Sequence, residues 1–139
     1  MQPPPDPGKK RLISLCRHDL PSEPPHLDLF LGPEGPAGED EPVVRTWRLN
    51  EDPMSMNEGD AQALVPLHLH RGRYLGLVEP VEPRSTAGWV TPLRRGECNV
   101  EEDGDRVLRL TVRWEDGSTG RFELDQERLL RLPMTVEGG

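Results

Sequence analysis

The stretch from Arg106 to Leu124, RVLRLTVRWEDGSTGRFEL, restricts the fold of this chain more than any other. Side chains of a strand alternate between two faces, so Leu108, Leu110, Val112 and Trp114 fall on one face. Asp116-Gly117 follows, and Phe122 and Leu124 resume the alternation. An Asp-Gly pair between two alternating apolar runs specifies a β-hairpin. The four-residue face, with Phe122, is the expected core.

The remaining chain repeats this pattern with less contrast. Short apolar runs at residues 12–18, 26–31, 43–49, 64–70, 74–78 and 88–93 read as strands. The 16 prolines and 14 glycines break them up, so turns and loops are abundant. Pro92 suggests that the 88–93 strand lies at a sheet edge. Residues 50–63 suit an irregular loop or one helical turn near Glu58 to Leu64, and Asp125 to Leu132 suits one helical turn. Nothing between the strands is long and periodic enough to be a crossover helix, which disfavours a parallel βαβ arrangement. The expectation is an all-β, mainly antiparallel barrel or sandwich of about six to eight short strands with long loops.

With 139 residues and 33% hydrophobic content, the chain fits one domain with a modest core. Residues 1–11 read as a disordered Pro-rich tail, 12–133 as the domain and 134–139 as a flexible tail. The net charge of −8 argues against a non-specific nucleic-acid coat, although a local basic groove remains compatible with it. No apolar run approaches the ~18 residues of a membrane-spanning helix, and the first residues lack the apolar core of a signal peptide. A soluble, cytoplasmic, monomeric protein with no membrane partner is expected. Cys16 and Cys98 show no metal-binding spacing and no disulfide framework. Cys16 stands two residues before His18, which leaves a thiolate ligand open beside the simpler reading of a small buried apolar residue.

The chemistry is concentrated between Leu12 and Leu31, LISLCRHDLPSEPPHLDLFL. His26 and Asp28 share one strand face, with Leu27, Leu29 and Leu31 on the other. A turn from Asp19 to Pro25 would fold the first strand back and bring His18 beside that pair. A His-x-Asp pair on a strand can be simply hydrogen-bonded. Two imidazoles and a carboxylate around an open position are also a recipe for a catalytic metal site. Further along, His68 and His70 share a face opposite Leu67 and Leu69.

The order of these pieces resembles the 3′-phosphoesterase domain found at the N-terminus of bacterial DNA ligase D, which also occurs as a stand-alone protein. The resemblance rests on His18 followed by His26-Leu27-Asp28, on Arg45-Thr46-Trp47, on His70-Arg71-Gly72-Arg73-Tyr74 and on the glycine-bounded segment Gly88 to Gly96. It covers roughly residues 12–124. It implies a compact closed β-barrel that removes 3′-phosphates or 3′-terminal ribonucleosides from DNA ends in strand-break repair. It also implies a divalent metal, manganese first and zinc as the alternative, held by His18, His26 and Asp28. His70 would act across the phosphate and Tyr74 would line the site. Expected partners are DNA 3′ ends or primer–template, with a repair ligase or polymerase nearby.

The chain also departs from that family. Where the family places an arginine two positions after the Asp, this chain has Phe30, and Phe cannot clamp a phosphate bidentately. Its Gln-Lys before the first His is Cys16-Arg17 here, its Pro-Lys-Gly is Leu49-Asn50-Glu51, and residues 50–66 lack its loop arginine. Arg71, Arg73, Arg84, Arg94 and Arg95 are candidate replacements or ordinary surface charges. Reactivating Phe30→Arg would be the natural test. The alternative function is a catalytically weak or inactive accessory module that keeps the barrel and binds DNA ends or repair partners. A third reading is a barrel interaction domain with no DNA role.

Overall fold

A computed structural model describes residues 10–82 and 88–134. The chain forms strands β1 (Arg11–Leu20), β2 (Glu23–Leu31), β3 (Pro42–Leu49), β4 (Ala61–Arg71), β5 (Trp89–Asp103), β6 (Leu108–Trp114), β7 (Thr119–Leu124) and β8 (Arg128–Leu132). All are antiparallel and close into one barrel in the order β1-β2-β3-β4-β8-β7-β6-β5. The only helical pieces among the described residues are two 3-10 turns, Pro53–Ser55 and Gly72–Leu75. Among the described residues no helix is long and apolar enough to cross a membrane. Most of the two expected tails lies outside the described residues, though Arg11 already belongs to β1 and the Met134 amide donates to Glu58 Oε2 at 2.9 Å.

The expected core face is buried. Leu108, Leu110, Val112 and Trp114 point into the barrel with Phe122 and Leu124, against Ile13, Leu15, Leu29, Leu31 and Leu49. Leu110 is 1% exposed. Leu110→Ala is expected to lower the unfolding free energy by about 2–5 kcal/mol, because the barrel interior cannot fully collapse into the space left. Urea unfolding measures this, and a loss under about 1 kcal/mol would place Leu110 outside the packed interior.

Four local expectations change. The helical turn lies at Pro53–Ser55 rather than 58–64, because the Asp52 side chain accepts from the Met54 amide at 2.9 Å and Pro53 suits a first helical position. Residues 74–78 are not a strand: Tyr74 ends up in the Gly72–Leu75 turn, tied down by the Ser14 hydroxyl, which donates to its carbonyl at 2.7 Å. Asp125 accepts from the Glu127 and Arg128 amides, turning the chain so that Arg128–Leu132 becomes a strand, not a helical turn. That strand joins β7 to β4 and closes the ring.

Pro92 is the fourth change. It sits opposite Cys16 where the β1–β5 register shifts between Leu15 and Cys16. A bulge, not a sheet edge, accommodates its missing N–H. The run around Pro92 continues through Gly96 and the acidic residues to Asp103 as one strand. Gly96 is needed there, since a Cβ would stand 2.3 Å from the Arg113 carbonyl oxygen.

Along β2 the alternation divides the molecule. Leu27, Leu29 and Leu31 face the barrel interior, as expected. Phe30 joins a second, outer cluster with Cys16, Val44, Leu75 and Val90. The Gly72–Leu75 turn and the start of β5 therefore cover part of the barrel's outside.

Candidate metal centre

Strand register assembles the site. The β1–β2 ladder pairs His18 with His26 and Cys16 with Asp28. The β2–β3 ladder pairs Asp28 with Arg48. Directly opposed residues on adjacent strands lie within side-chain reach, and the diagonal places Asp28 within reach of His18 too. The connecting turn is tighter than expected, because pairing already resumes at Leu20 and Glu23 after a register shift.

His18 and His26 meet edge to face, with ring centroids 5.0 Å apart. His18 Nδ1 lies 3.7 Å from Asp28 Oδ2, and His26 Nε2 lies 3.7 Å from Asp28 Oδ1. Those separations are too long for hydrogen bonds. The side chains are 13%, 10% and 5% exposed, respectively. The Nε2 atoms of both histidines and Oδ1 of Asp28 are buried without a hydrogen-bond partner. Leaving such groups unsatisfied costs about 1–3 kcal/mol each, so a folded protein rarely does so without a reason.

A metal ion fits that reason. One donor atom from each of the three residues lies within 4.8 Å of the others. Two ligands about 2.1 Å from a common ion at a tetrahedral angle stand roughly 3.4 Å apart, and each histidine brings one ring nitrogen to 3.7 Å from an Asp28 oxygen, His18 through Nδ1 to Oδ2 and His26 through Nε2 to Oδ1. The cluster could thus hold one divalent ion, with positions left open for water or substrate.

Protonation suits this role. Burial, followed by the nearby Arg48 guanidinium, lowers the pKa of His18 and of His26. Burial raises the Asp28 carboxyl to about 6, with Arg48 opposing the shift. Near pH 7 the set is therefore two neutral imidazoles and a carboxylate, the forms a metal binds. Below about pH 6 a proton on Asp28 competes with the ion, so the metal-binding constant should fall about tenfold per pH unit. Without metal the sign reverses: a carboxyl with a raised folded-state pKa makes the fold less stable as pH rises from about 4 through 6. Calorimetric titration of manganese across this range measures the first effect. A constant that stays level down to about pH 5 would remove Asp28 from the ligand set.

His70 and Tyr74 come to the same outer face. His70 Nδ1 lies 2.9 Å from the His68 carbonyl oxygen. A carbonyl only accepts, so Nδ1 carries the hydrogen and Nε2 keeps a free lone pair. Burial lowers the His70 pKa, against the His68 carbonyl, which raises it. Phe30, His70 and Tyr74 form one aromatic cluster: the Phe30 ring meets His70 edge-on at 5.4 Å and stacks on Tyr74 at 5.3 Å, and His70 meets Tyr74 edge-on at 5.8 Å. The exposed His68 ring stacks on His70 at 4.6 Å.

Cys16 opposes Asp28 across the ladder yet is completely buried, and burial with the Asp28 charge pushes its thiol up to about 12. It is a packing residue and stays out of the donor set.

The candidate replacement arginines do not reach the cluster. Arg71 and Arg73 pair with Asp40, Arg94 with Asp52 and Asp116, and Arg95 with Glu115. Arg84 lies outside the described residues. The cation at the site is Arg48, one residue beyond the Arg45-Thr46-Trp47 motif. Its signal in the sequence was faint: Thr46 and Arg48 alternate on β3, but only the register against β2 brings Arg48 beside Asp28.

No protein-family model, no curated protein and no solved structure matches this chain.

Proposed function

We propose that the barrel holds a divalent metal ion, manganese before zinc, at His18, His26 and Asp28, and hydrolyses phosphate esters at DNA or RNA-tipped DNA 3′ ends. The observation that carries this reading is the convergence of three buried, unpartnered donors on one outward face beside a guanidinium and a neutral imidazole. The order of His18, His26-Leu27-Asp28, Arg45-Thr46-Trp47 and His70 to Tyr74 adds the resemblance to the ligase D phosphoesterase domain. A divalent ion bound there supplies Lewis acidity and a water of lowered pKa.

The chain's own residues do the positioning and proton handling. His70, its Nδ1–H held by the His68 carbonyl, keeps the Nε2 lone pair available to take a proton from an attacking water, and the protonated ring can then donate to a phosphate oxygen. Tyr74 stacks on Phe30 and forms one wall. Asp28, deprotonated at neutral pH, offsets cationic charge between the two imidazoles.

Phe30 favours a second reading. It is 1% exposed and fills the place of a phosphate clamp with a packed ring. On this reading the barrel is an accessory module that binds DNA ends or a repair ligase or polymerase without cleaving. The test is a primer–template bearing a 3′-phosphate or a single 3′-terminal ribonucleotide, incubated with protein and manganese, zinc or chelator. Metal-dependent release of the 3′ group is the expected result. A metal-loaded protein that leaves every 3′-modified primer intact overturns the enzyme reading and leaves the accessory module.

A further inference from the structure

We infer that Arg48 is the phosphate-binding residue of this site, supplying from β3 the cation that β2 does not carry. The inference rests on the proposed metal and phosphoester reading, but its test can separate the two.

Three observations place Arg48 in this role. First, it is cross-strand from Asp28, with Nε 3.8 Å from Asp28 Oδ1. That distance is beyond a hydrogen bond, so the two groups attract as charges while the guanidinium N–H groups stay unspent on the carboxylate. Second, Arg48 Nε is buried and has no hydrogen-bond partner, like the donor atoms next to it. A guanidinium held in that state costs free energy unless an acceptor arrives. Third, among the described residues Asp28 is the one acid paired with Arg48, and a metal ion would engage it. Asp19 and Glu23 act on His18 and His26, but neither forms an ion pair or hydrogen bond with Arg48, and Asp19 is held by Arg17.

The contrast with the neighbouring arginines is chemical. Arg94, Arg95, Arg109 and Arg121 each hold a carboxylate at 3.1 Å or less. Their charge is already spent on the fold. Arg48 keeps planar donors free on a side chain that is 38% exposed, so one end reaches solvent while Nε stays beneath the surface. A planar guanidinium offers two parallel donors to a tetrahedral oxyanion, which a carboxylate-saturated arginine cannot do. Metal on one side and guanidinium on the other would neutralise separate non-bridging oxygens of one phosphoryl group. The recognised chemistry is thus a phosphate monoester or diester whose phosphorus sits between the His18–His26–Asp28 cluster and β3.

The structural alternative is that Arg48 only balances the Asp28 charge. Arg48→Gln and Arg48→Lys distinguish these roles. Both are assayed in the full chain with manganese, by metal titration, by binding of inorganic phosphate to the metal-loaded protein, and by release from a 3′-phosphorylated primer. If Arg48 binds phosphate, Arg48→Gln keeps manganese affinity within about threefold and weakens phosphate binding about 10- to 100-fold, the scale of a charge-assisted pair. Arg48→Lys restores part of it, since Lys keeps the charge without the fork.

Where the wild-type protein cleaves, Arg48→Gln should lower the rate about 100-fold or more, as for one lost oxyanion donor. Cleavage unchanged in Arg48→Gln overturns the role of Arg48 and leaves the enzyme reading standing. A wild-type protein that cleaves nothing, yet binds phosphate in an Arg48-dependent way, keeps the inference and overturns the enzyme reading. Manganese affinity that collapses in Arg48→Gln, or metal-loaded wild type that binds no phosphate, overturns the inference.

Discussion

Alanine at His18 or at His26 is expected to abolish metal-dependent release of a 3′-phosphate and to weaken metal binding by about 100-fold or more, since even outer-shell partners of a ligand cost 10- to 100-fold. Each imidazole is one of only three donors in the cluster. With one gone, two side-chain ligands cannot hold a divalent ion against water at micromolar concentrations. The fold should survive, because both rings lie on the outward face, away from the barrel interior built from Leu110, Trp114, Phe122 and their neighbours. Removing a buried nitrogen without a partner even relieves a cost in the metal-free protein. Metal content after gel filtration, thermal unfolding and primer cleavage measure the three effects separately. His70→Ala serves as the contrast: it should slow cleavage by roughly 100-fold while leaving the metal bound, as expected for an acid–base group outside the ligand set. Full metal occupancy and an undiminished rate in His18→Ala would end the metal-centre reading.

The barrel was legible where side-chain alternation was clean. Leu108 to Trp114, the Asp116-Gly117 turn and Phe122 are placed as their pattern demands. Legibility failed where local chemistry and closure competed. Arg128 to Leu132 has helix-forming residues, but β7 and β4 leave a gap that only a strand closes, and Asp125 turns the chain into it. Tyr74 to Val78 is apolar enough for a strand, yet it serves as a lid over the outer cluster of Cys16, Phe30, Val44 and Val90. Pro92 looked like an edge residue because a bulge depends on cross-strand register, which no single strand encodes.

The site divides in the same way. His26 and Asp28 share a face by alternation alone, and a hairpin brings His18 to them. Arg48 was hidden because its meaning comes from being opposite Asp28, a pairing that joins residues 20 apart in sequence. Burial was hidden as well. The outward face of β2 should be wet in an ordinary barrel, but the Gly72–Leu75 turn and Val90 roof it. That roof is why Phe30 is a packing residue rather than a vacant clamp position, while Asp28, 5% exposed at the side chain, lies among His18, His26 and Arg48.

Phe30→Arg, which on the resemblance alone should raise activity, is now expected to destabilise the protein and bring no gain. The Phe30 ring is 1% exposed, stacks on Tyr74 and packs with Cys16, Val44, Leu75 and Val90. Losing it removes a fully buried aromatic, typically worth about 3–5 kcal/mol. An arginine there would also put a guanidinium among Cys16, Val44, Leu75 and Val90, and an uncompensated buried charge is costly. Phe30→Leu separates packing from charge: it keeps an apolar side chain and should cost only about 1–2 kcal/mol with metal binding intact. Urea unfolding of the two variants, with cleavage rates measured under conditions where each is folded, gives the comparison. A Phe30→Arg protein as stable as wild type and faster on a 3′-phosphorylated primer would mean that the phosphate sits over β2.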